Sequence, residues 1–306
     1  MAEISKDEFE IIGIDREKTN EINRPNITYW QDAWRRLKEN KVAIFSLGIL
    51  ILITLMTIIG PYLTKYKYWA TDSSIINMSP NKDHWFGTDM LGRDMFARVW
   101  KGGRVSIIIG ILGTIIEMTI GVIYGGISGY FGGLVDDIMM RVVEILLSIP
   151  YLMVVIIISI VLKQRGIMSL VIAMTITGWC GMARIIRGQI LQVREQEYVL
   201  AARALGASSS RIIKKHLLPN AIGILIVNIT LDVPSFIFGE AFLSYIGLGI
   251  QSPNTSWGSL ASSAQPNLMF YPYQLFFPAL FISLTMLSFN LLGDGLRDAL
   301  DPKLRQ

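Results

Sequence analysis

The sequence predicts an all-α membrane protein with six transmembrane helices and both termini in the cytoplasm. Three observations carry this. Hydrophobic residues make up 52% of the 306 positions and charged ones only 17%, against about 25% charged in an ordinary soluble domain. The apolar residues gather into six runs, each long enough to cross a hydrocarbon core about 30 Å thick as a helix. With both termini inside, the inner side holds all but nine of the 28 Lys and Arg residues, as basic residues near spans stay cytoplasmic. The net charge of +4 therefore reads as membrane topology and not as a nucleic-acid footprint. The first outer loop, with Lys65, Lys67, Lys82, Arg93, Arg98, Lys101 and Arg104, runs against the rule.

Residues 1–41 are expected to form a cytoplasmic tail with an interfacial helix. Up to about residue 25 the chain is polar and lacks apolar periodicity, as a flexible tail would. From Asn26 or Thr28, either able to cap a helix, Trp30, Trp34 and Leu37 share one face while Arg35, Arg36 and Lys38 occupy others. This pattern suits a helix lying at headgroup level, or one packed on other helices. Residues 42–63 are the first span. It is too long for a signal-peptide core and no A-x-A site follows it, so it is expected to remain in the mature protein. Residues 64–104 are read as an extracytoplasmic loop.

Residues 105–293 are read as a five-helix core. Its first helix, Val105 to about Ser128, carries the G-x-x-x-G pairs Gly121/Gly125 and Gly125/Gly129, which let helix backbones approach closely. Glu117 lies near its middle, at a cost of roughly 3 kcal/mol that a dozen large apolar residues outweigh. It is expected to face the bundle interior or a pore, or to be held by a buried hydrogen bond or protonated. The next span, Ile138 to Leu162, contains Pro150, which predicts a kink. Asp136, Asp137, Arg141 and Glu144 gather at its cytoplasmic end, with Arg141 and Glu144 three apart and able to pair. The span from Met168 to about Arg187 holds the lone cysteine, Cys180, which excludes an intramolecular disulfide or a cysteine-cluster metal site.

Residues 188–221 are the most informative loop: helix, turn, helix. Ala201, Ala202, Ala204 and Leu205 favour a short helix, Gly206 suits the left-handed position that ends one, and Ser208 to Ser210 can cap the next. Pro219 is expected to close the segment and force a new start for the following span. Small alanines beside arginines suit insertion into a groove on a partner protein, or a basic helix resting on anionic lipid. The span from Ile222 to about Gly247 carries Asp232 and Pro234 near mid-membrane and Glu240 two turns later, so a polar, bent helix crosses the centre. The last span runs from Leu275 to about Gly293, and residues 294–306 form a cytoplasmic C-terminus.

Catalytic apparatus is sparse. His84 and His216 lie in different loops, and the sequence contains no G-x-x-x-x-G-K-[ST] phosphate cradle, so any ATP would be hydrolysed elsewhere. No internal repeat and no inverted repeat of the secondary-transporter kind is visible, which disfavours a gradient-driven carrier. Such a carrier and a non-transporting scaffold remain the readings of another class.

The 188–221 loop resembles the cytoplasmic loop of binding-protein-dependent ABC importer permeases, whose pattern is E-A-A, three residues, G, nine residues, I-x-L-P. Ala201, Ala202, Gly206, Leu218 and Pro219 match it; Leu200 replaces the Glu and His216 the Ile. Tyr198-Val199 and His216 resemble the peptide-transport branch. Three further segments are similar to the C-type subunit of oligopeptide and dipeptide permeases. They are His84 to Asp94 followed by Gly103 to Ser106, Gly239 to Gly249 followed by Ser256 to Gly258, and Asn290 to Pro302; Trp85 replaces a usual proline. The likeness covers roughly residues 25–306.

The resemblance implies the type I ABC importer permease fold. It also implies a loop, with Glu197, Tyr198, Ala201, Ala202, Arg203, Gly206, Leu218 and Pro219, that couples to an ATPase. The fifth span would border the route, making Glu117, Asp232 and Glu240 candidates for lining it. The implied partners are a homologous second permease, one or two kinds of cytoplasmic ATPase subunit, an extracytoplasmic peptide-binding protein or lipoprotein, and membrane lipid. ATP and Mg would be used by the ATPases, with no cofactor on this chain. The expected site is the bacterial or archaeal cytoplasmic membrane, and the expected cargo oligopeptides or dipeptides. Related permeases serve nickel, metal chelates or glutathione, which this sequence does not separate from peptides.

Overall fold

A computed structural model describes residues 28–162 and 166–300. The expected N-terminal tail, the Asn26 cap and the end of the C-terminal motif at Asp301-Pro302 lie outside the described residues. Among the described residues are eleven α-helices: α1 (Tyr29–Glu39), α2 (Lys41–Ile59), α3 (Met95–Phe131), α4 (Gly133–Ser148), α5 (Tyr151–Val161), α6 (Ile167–Arg194), α7 (Glu197–Ala204), α8 (Ser209–Ile212), α9 (Leu218–Tyr245), α10 (Trp257–Ala264) and α11 (Tyr273–Leu300). By length and composition five helical stretches can cross a membrane, or six if the bent pair α4–α5 is one span.

Helix α1 starts on a capping box made by Thr28 and Gln31, which satisfies two orphan N–H groups reciprocally. Its buried face is Ala33 and Leu37, and Leu37 packs with Ala43, Leu50, Leu292 and Ala299 from α2 and α11. Trp30 and Trp34 are about half exposed. The predicted face is thus divided: Leu37 holds the helix to the bundle and the tryptophans project from it.

The second span begins ten residues earlier than the hydropathy suggests. Asp94 caps α3 at Met95 by accepting from the Ala97 N–H at 2.8 Å, and the basic residues of this first stretch are used, not solvated. Arg104 donates to the carbonyls of Thr57 and Ile58 at 3.1 and 3.0 Å, closing the end of α2. Arg98 lies against Asp89 and the Tyr68 carbonyl. Accordingly the segment read as a loop over residues 64–104 is already helical from Met95.

The glycine spacing of α3 is used as predicted. A Cβ at Gly125 would overlap the Ala183 carbonyl of α6, and one at Gly121 or Gly129 would meet Met182 or Ile190 within 3 Å. The two backbones pack on one another along this stripe, where only glycine leaves room.

The third span is more than kinked. Helices α4 and α5 meet at 82° around Ile149-Pro150, because Pro150 stands as the N-cap of α5 and, lacking an N–H, cannot continue α4. At Pro219 the expectation fails in the other direction: a π-helical turn over Ile213–Leu217 carries the chain from α8 into α9. Proline sits in the first turn of α9, where its missing N–H breaks no necessary bond.

Candidate functional site

The 188–221 loop folds as a short helix held by one side. Gln196 starts α7, its carbonyl accepting the Val199 and Leu200 N–H groups at 2.9 and 3.1 Å. Glu197 lies in the first turn and Arg203 in the last, each favourable to the helix dipole. Gly206 adopts φ +81°; its N–H bonds to Arg203 O and that of Ala207 to Ala202 O, both at 3.0 Å. This is a Schellman ending, which requires a residue tolerant of positive φ at that position. Ser208 then caps α8.

Val199 is fully buried and packs with Tyr130, Ile186, Ile190, Ile212 and Leu217, fixing α7 to the ends of α3 and α6. Arg203 lies over the Tyr130 ring. Tyr198 accepts from Asn220 at 3.1 Å while Asn220 also reaches the His216 carbonyl at 2.6 Å, so the start of α9, with Leu218 and Pro219, is tied to the same helix. Ala201, Ala204 and Leu200 remain exposed, and Leu205 is 89% exposed. Ala202 is half-buried. An apolar, small-residue tip anchored from behind is suited to a groove on another protein.

Glu117 of α3 and Asp232 of α9 come together. They line a cavity of about 190 Å³ with Tyr151, Met174, Gly178, Ser235, Phe236 and Gly239. A Cβ at Gly178 would come within 3.0 Å of the Glu117 carboxylate, so glycine there makes room for the acid. Tyr151, at the start of α5, donates to the Met174 carbonyl at 3.2 Å, which places the break between α4 and α5 at the cavity wall. Acids inside a bundle face its interior or an aqueous cavity, and here both face the same one.

Glu240 is elsewhere. It is wholly buried, accepting from Ser106 at 3.0 Å, Ser244 at 2.7 Å and Ser256 at 2.5 Å. Ser106 also accepts from the Trp257 N–H. This carboxylate joins α3, α9 and α10 as a structural node, and its grouping with Glu117 and Asp232 is corrected: sequence proximity to mid-membrane does not distinguish a cavity acid from a hydrogen-bonded one.

Sequence reasoning kept Asp136 with its neighbours Arg141 and Glu144. Arg141 and Glu144 do pair, at 2.9 Å and exposed. Asp136 instead receives two bonds from Arg187 of α6, both 2.5 Å, and one from Ser128. Arg194 donates to the carbonyls of Gly129 and Tyr130 at 3.1 and 3.3 Å. Tyr151 and Asn220 were missed as well. Arg187 is 51 residues from Asp136 and Arg194 is 65 from Gly129, and the glycine stripe announced close helix packing without naming the partner helix.

Beyond the opposite ends of the helices, the segment from His84 to Asp94 makes a compact turn. His84 bonds Asp94 at 2.8 Å and stacks on Tyr66, while Asp89 pairs with Arg93 at 2.7 Å.

Comparison with known proteins places this architecture. The family described as binding-protein-dependent transport system inner membrane component matches residues 119–306, and the N-terminal TM domain of oligopeptide transport permease C matches residues 28–80. The dipeptide transport system permease protein DppC of Bacillus subtilis is 52% identical over 297 residues, 96% of this chain and 92% of that protein. The oligopeptide transport system permease protein OppC of the same organism is 50% identical over 306 residues, 100% of each. OppC of Escherichia coli K12 is 43% identical over 278 residues, 90% of this chain and 92% of that protein. Among solved structures, the MetNI methionine ABC transporter in an inward-facing conformation superposes with a TM-score of 0.56 at 18% identity, over 68% of this chain and 98% of that one, a likeness of fold.

Proposed function

Because this chain belongs to the binding-protein-dependent transport system inner membrane component family, we propose that it is a permease subunit of an ATP-driven importer carrying oligopeptides or dipeptides across the cytoplasmic membrane. One observation carries the cargo assignment: the chain is half identical, along its whole length, to a dipeptide and to an oligopeptide permease. Its N-terminal helices match a domain named for the oligopeptide permease C subunit.

The complex would comprise a second, homologous permease, one or two kinds of ATPase on the cytoplasmic face, and an extracytoplasmic peptide-binding protein or lipoprotein. ATP and Mg act on the ATPases. Both termini and α7 then lie inside. The exposed tip of α7, from Glu197 to Leu205, docks in a groove of the ATPase, and ATP-driven closure there re-aims the route between the permeases. The cavity of Glu117 and Asp232 is this chain's share of that route. Selection of peptides falls mainly to the binding protein, so the route needs few side-chain contacts.

Gentle purification of the chain from its native membrane, followed by mass spectrometry of what accompanies it, tests the whole reading. Recovery of a second permease, ATPases and a binding protein is the expected result. The chain alone, active in liposomes without ATP, overturns it in favour of a gradient-driven carrier. Gly206→Asp tests the docking helix: a charged side chain strains the positive φ of the Schellman ending and stands on the docking face, and the assembled complex is expected to hydrolyse ATP without importing peptide. Normal uptake at normal expression removes the assignment.

A further inference from the structure

The helix proposed to meet the ATPase follows the C-terminal ends of α3 and α6, whereas the cavity proposed to meet the substrate lies against their middles, at Glu117, Met174 and Gly178. One element reaches from one to the other. Helix α4 leaves the end of α3 through Gly132 and Gly133, at φ +66° and +52°, beside Tyr130, on which Arg203 of α7 rests. It then turns through 82° into α5, whose first residue, Tyr151, stands in the cavity wall with Glu117 and Asp232. Along its 16 residues α4 buries only Asp136 and Val143. Farther along, Tyr124 of α3 donates to the Met139 carbonyl at 3.0 Å; the charged ties are at the hinge.

There the contacts are specific. The Arg187 guanidinium grips Asp136 with two bonds of 2.5 Å, and Ser128 of α3 bonds the same carboxylate. Paired charge-assisted bonds of this kind fix orientation as well as distance. Seven residues on, one face and two turns along α6, Arg194 occupies the last carbonyls of α3 and leads directly into α7. Arg187 and Arg194 therefore bind the α3–α4 corner to the segment that carries α7. The bidentate fork is a property of arginine that lysine does not share.

We propose that Asp136, Arg187 and Arg194 are positioning residues for coupling: they make α4 turn with α7, so that ATPase movement reaches the cavity through the α4–α5 break. This rests on the reading of α7 as the ATPase-docking helix, and the test separates the two. Reconstituted with its partner subunits, the complex is assayed for ATP hydrolysed per radiolabelled trialanine imported. Asp136→Asn and Arg187→Gln should each raise that ratio about tenfold, within the range common for coupling between sites, in complexes that still assemble. Asp136→Arg combined with Arg187→Asp should lower it again, and Arg187→Lys should fall between wild type and Arg187→Gln. A wild-type ratio in the single variants, or a charge-swapped pair no better than either, overturns the proposal. If Gly206→Asp uncouples while these variants do not, the tie is wrong and the docking assignment survives. If Gly206→Asp also transports normally, it is the docking assignment that fails.

A second measurement does not depend on assembly of the charge variants. Spin labels at Leu134→Cys on α4 and Lys215→Cys beside α7, in a Cys180→Ser background, report the distance across the corner by pulsed electron resonance. A distance unchanged between nucleotide-free and ATP-bound complex is expected. A change between the two states overturns rigid coupling.

Discussion

Glu117, Asp232 and Glu240 are all acids within apolar helices, yet their surroundings assign them different work. The Glu240 carboxylate is surrounded by the hydroxyls of Ser106, Ser244 and Ser256. Replacing it by Leu strands those hydroxyls in the core, and each buried polar group left unsatisfied costs about 1–3 kcal/mol. Glu240→Leu should therefore lower the melting temperature of the detergent-solubilised protein and its yield. Glu240→Gln, which keeps an accepting oxygen, should recover most of both. Thermal unfolding followed by tryptophan fluorescence reads the difference, and a Leu variant as stable as wild type would remove the structural role. Glu117 and Asp232 face open space instead. Glu117→Gln with Asp232→Asn should leave stability and assembly intact but alter peptide uptake, the reverse of the Glu240 pattern.

Helices α3 and α6 bind through backbone more than through side chains. A Cβ at Gly125 would run into the Ala183 carbonyl, whereas one at the adjacent Gly126 meets nothing within 4 Å. Gly125→Val should part the helices and abolish assembly, while Gly126→Val should be accommodated; co-purification with the second permease distinguishes them, and equal tolerance would mean that the stripe is not an interface. The stripe was legible because glycine spacing states a distance between backbones. So was the end of α7, since a glycine after an alanine-rich helix has one favoured conformation. The start of α3 was not legible. Arg98 and Arg104 look like loop residues until the carbonyls of Tyr68, Thr57 and Ile58 are found beside them. Nor was the continuity through Pro219, because a π turn leaves no mark in hydropathy. Of the candidate site, α7 and its glycine ending could be read locally, while the Asp136–Arg187 tie spans 51 residues and needs the fold.

At the scale of the molecule, the α4–α5 break sets a condition on what lies outside this chain. Backbone that is not helical tolerates membrane depth only where protein or water covers it, because hydrocarbon offers no hydrogen bonds. Ser148, Ile149 and Pro150 are exposed in the single chain, between the apolar last turn of α4 and the apolar α5. The cavity beside them, at Tyr151, is likewise open and too small, at about 190 Å³, to enclose a peptide alone, since sites for compounds of that size run to about 300–1,000 Å³. Both deficits are met if a second permease covers this face, its own wall completing the route and shielding the broken backbone. A photoreactive label at Ile149→Cys, in a Cys180→Ser background, should therefore cross-link to the second permease in native membranes. A label at Phe45→Cys on α2, where the side chain is 71% exposed and the helix unbroken, should react with lipid. Lipid adducts at both positions would leave the break bare in hydrocarbon, which the energetics of backbone hydrogen bonds forbid, and would require α4 and α5 to straighten into one continuous span in the membrane.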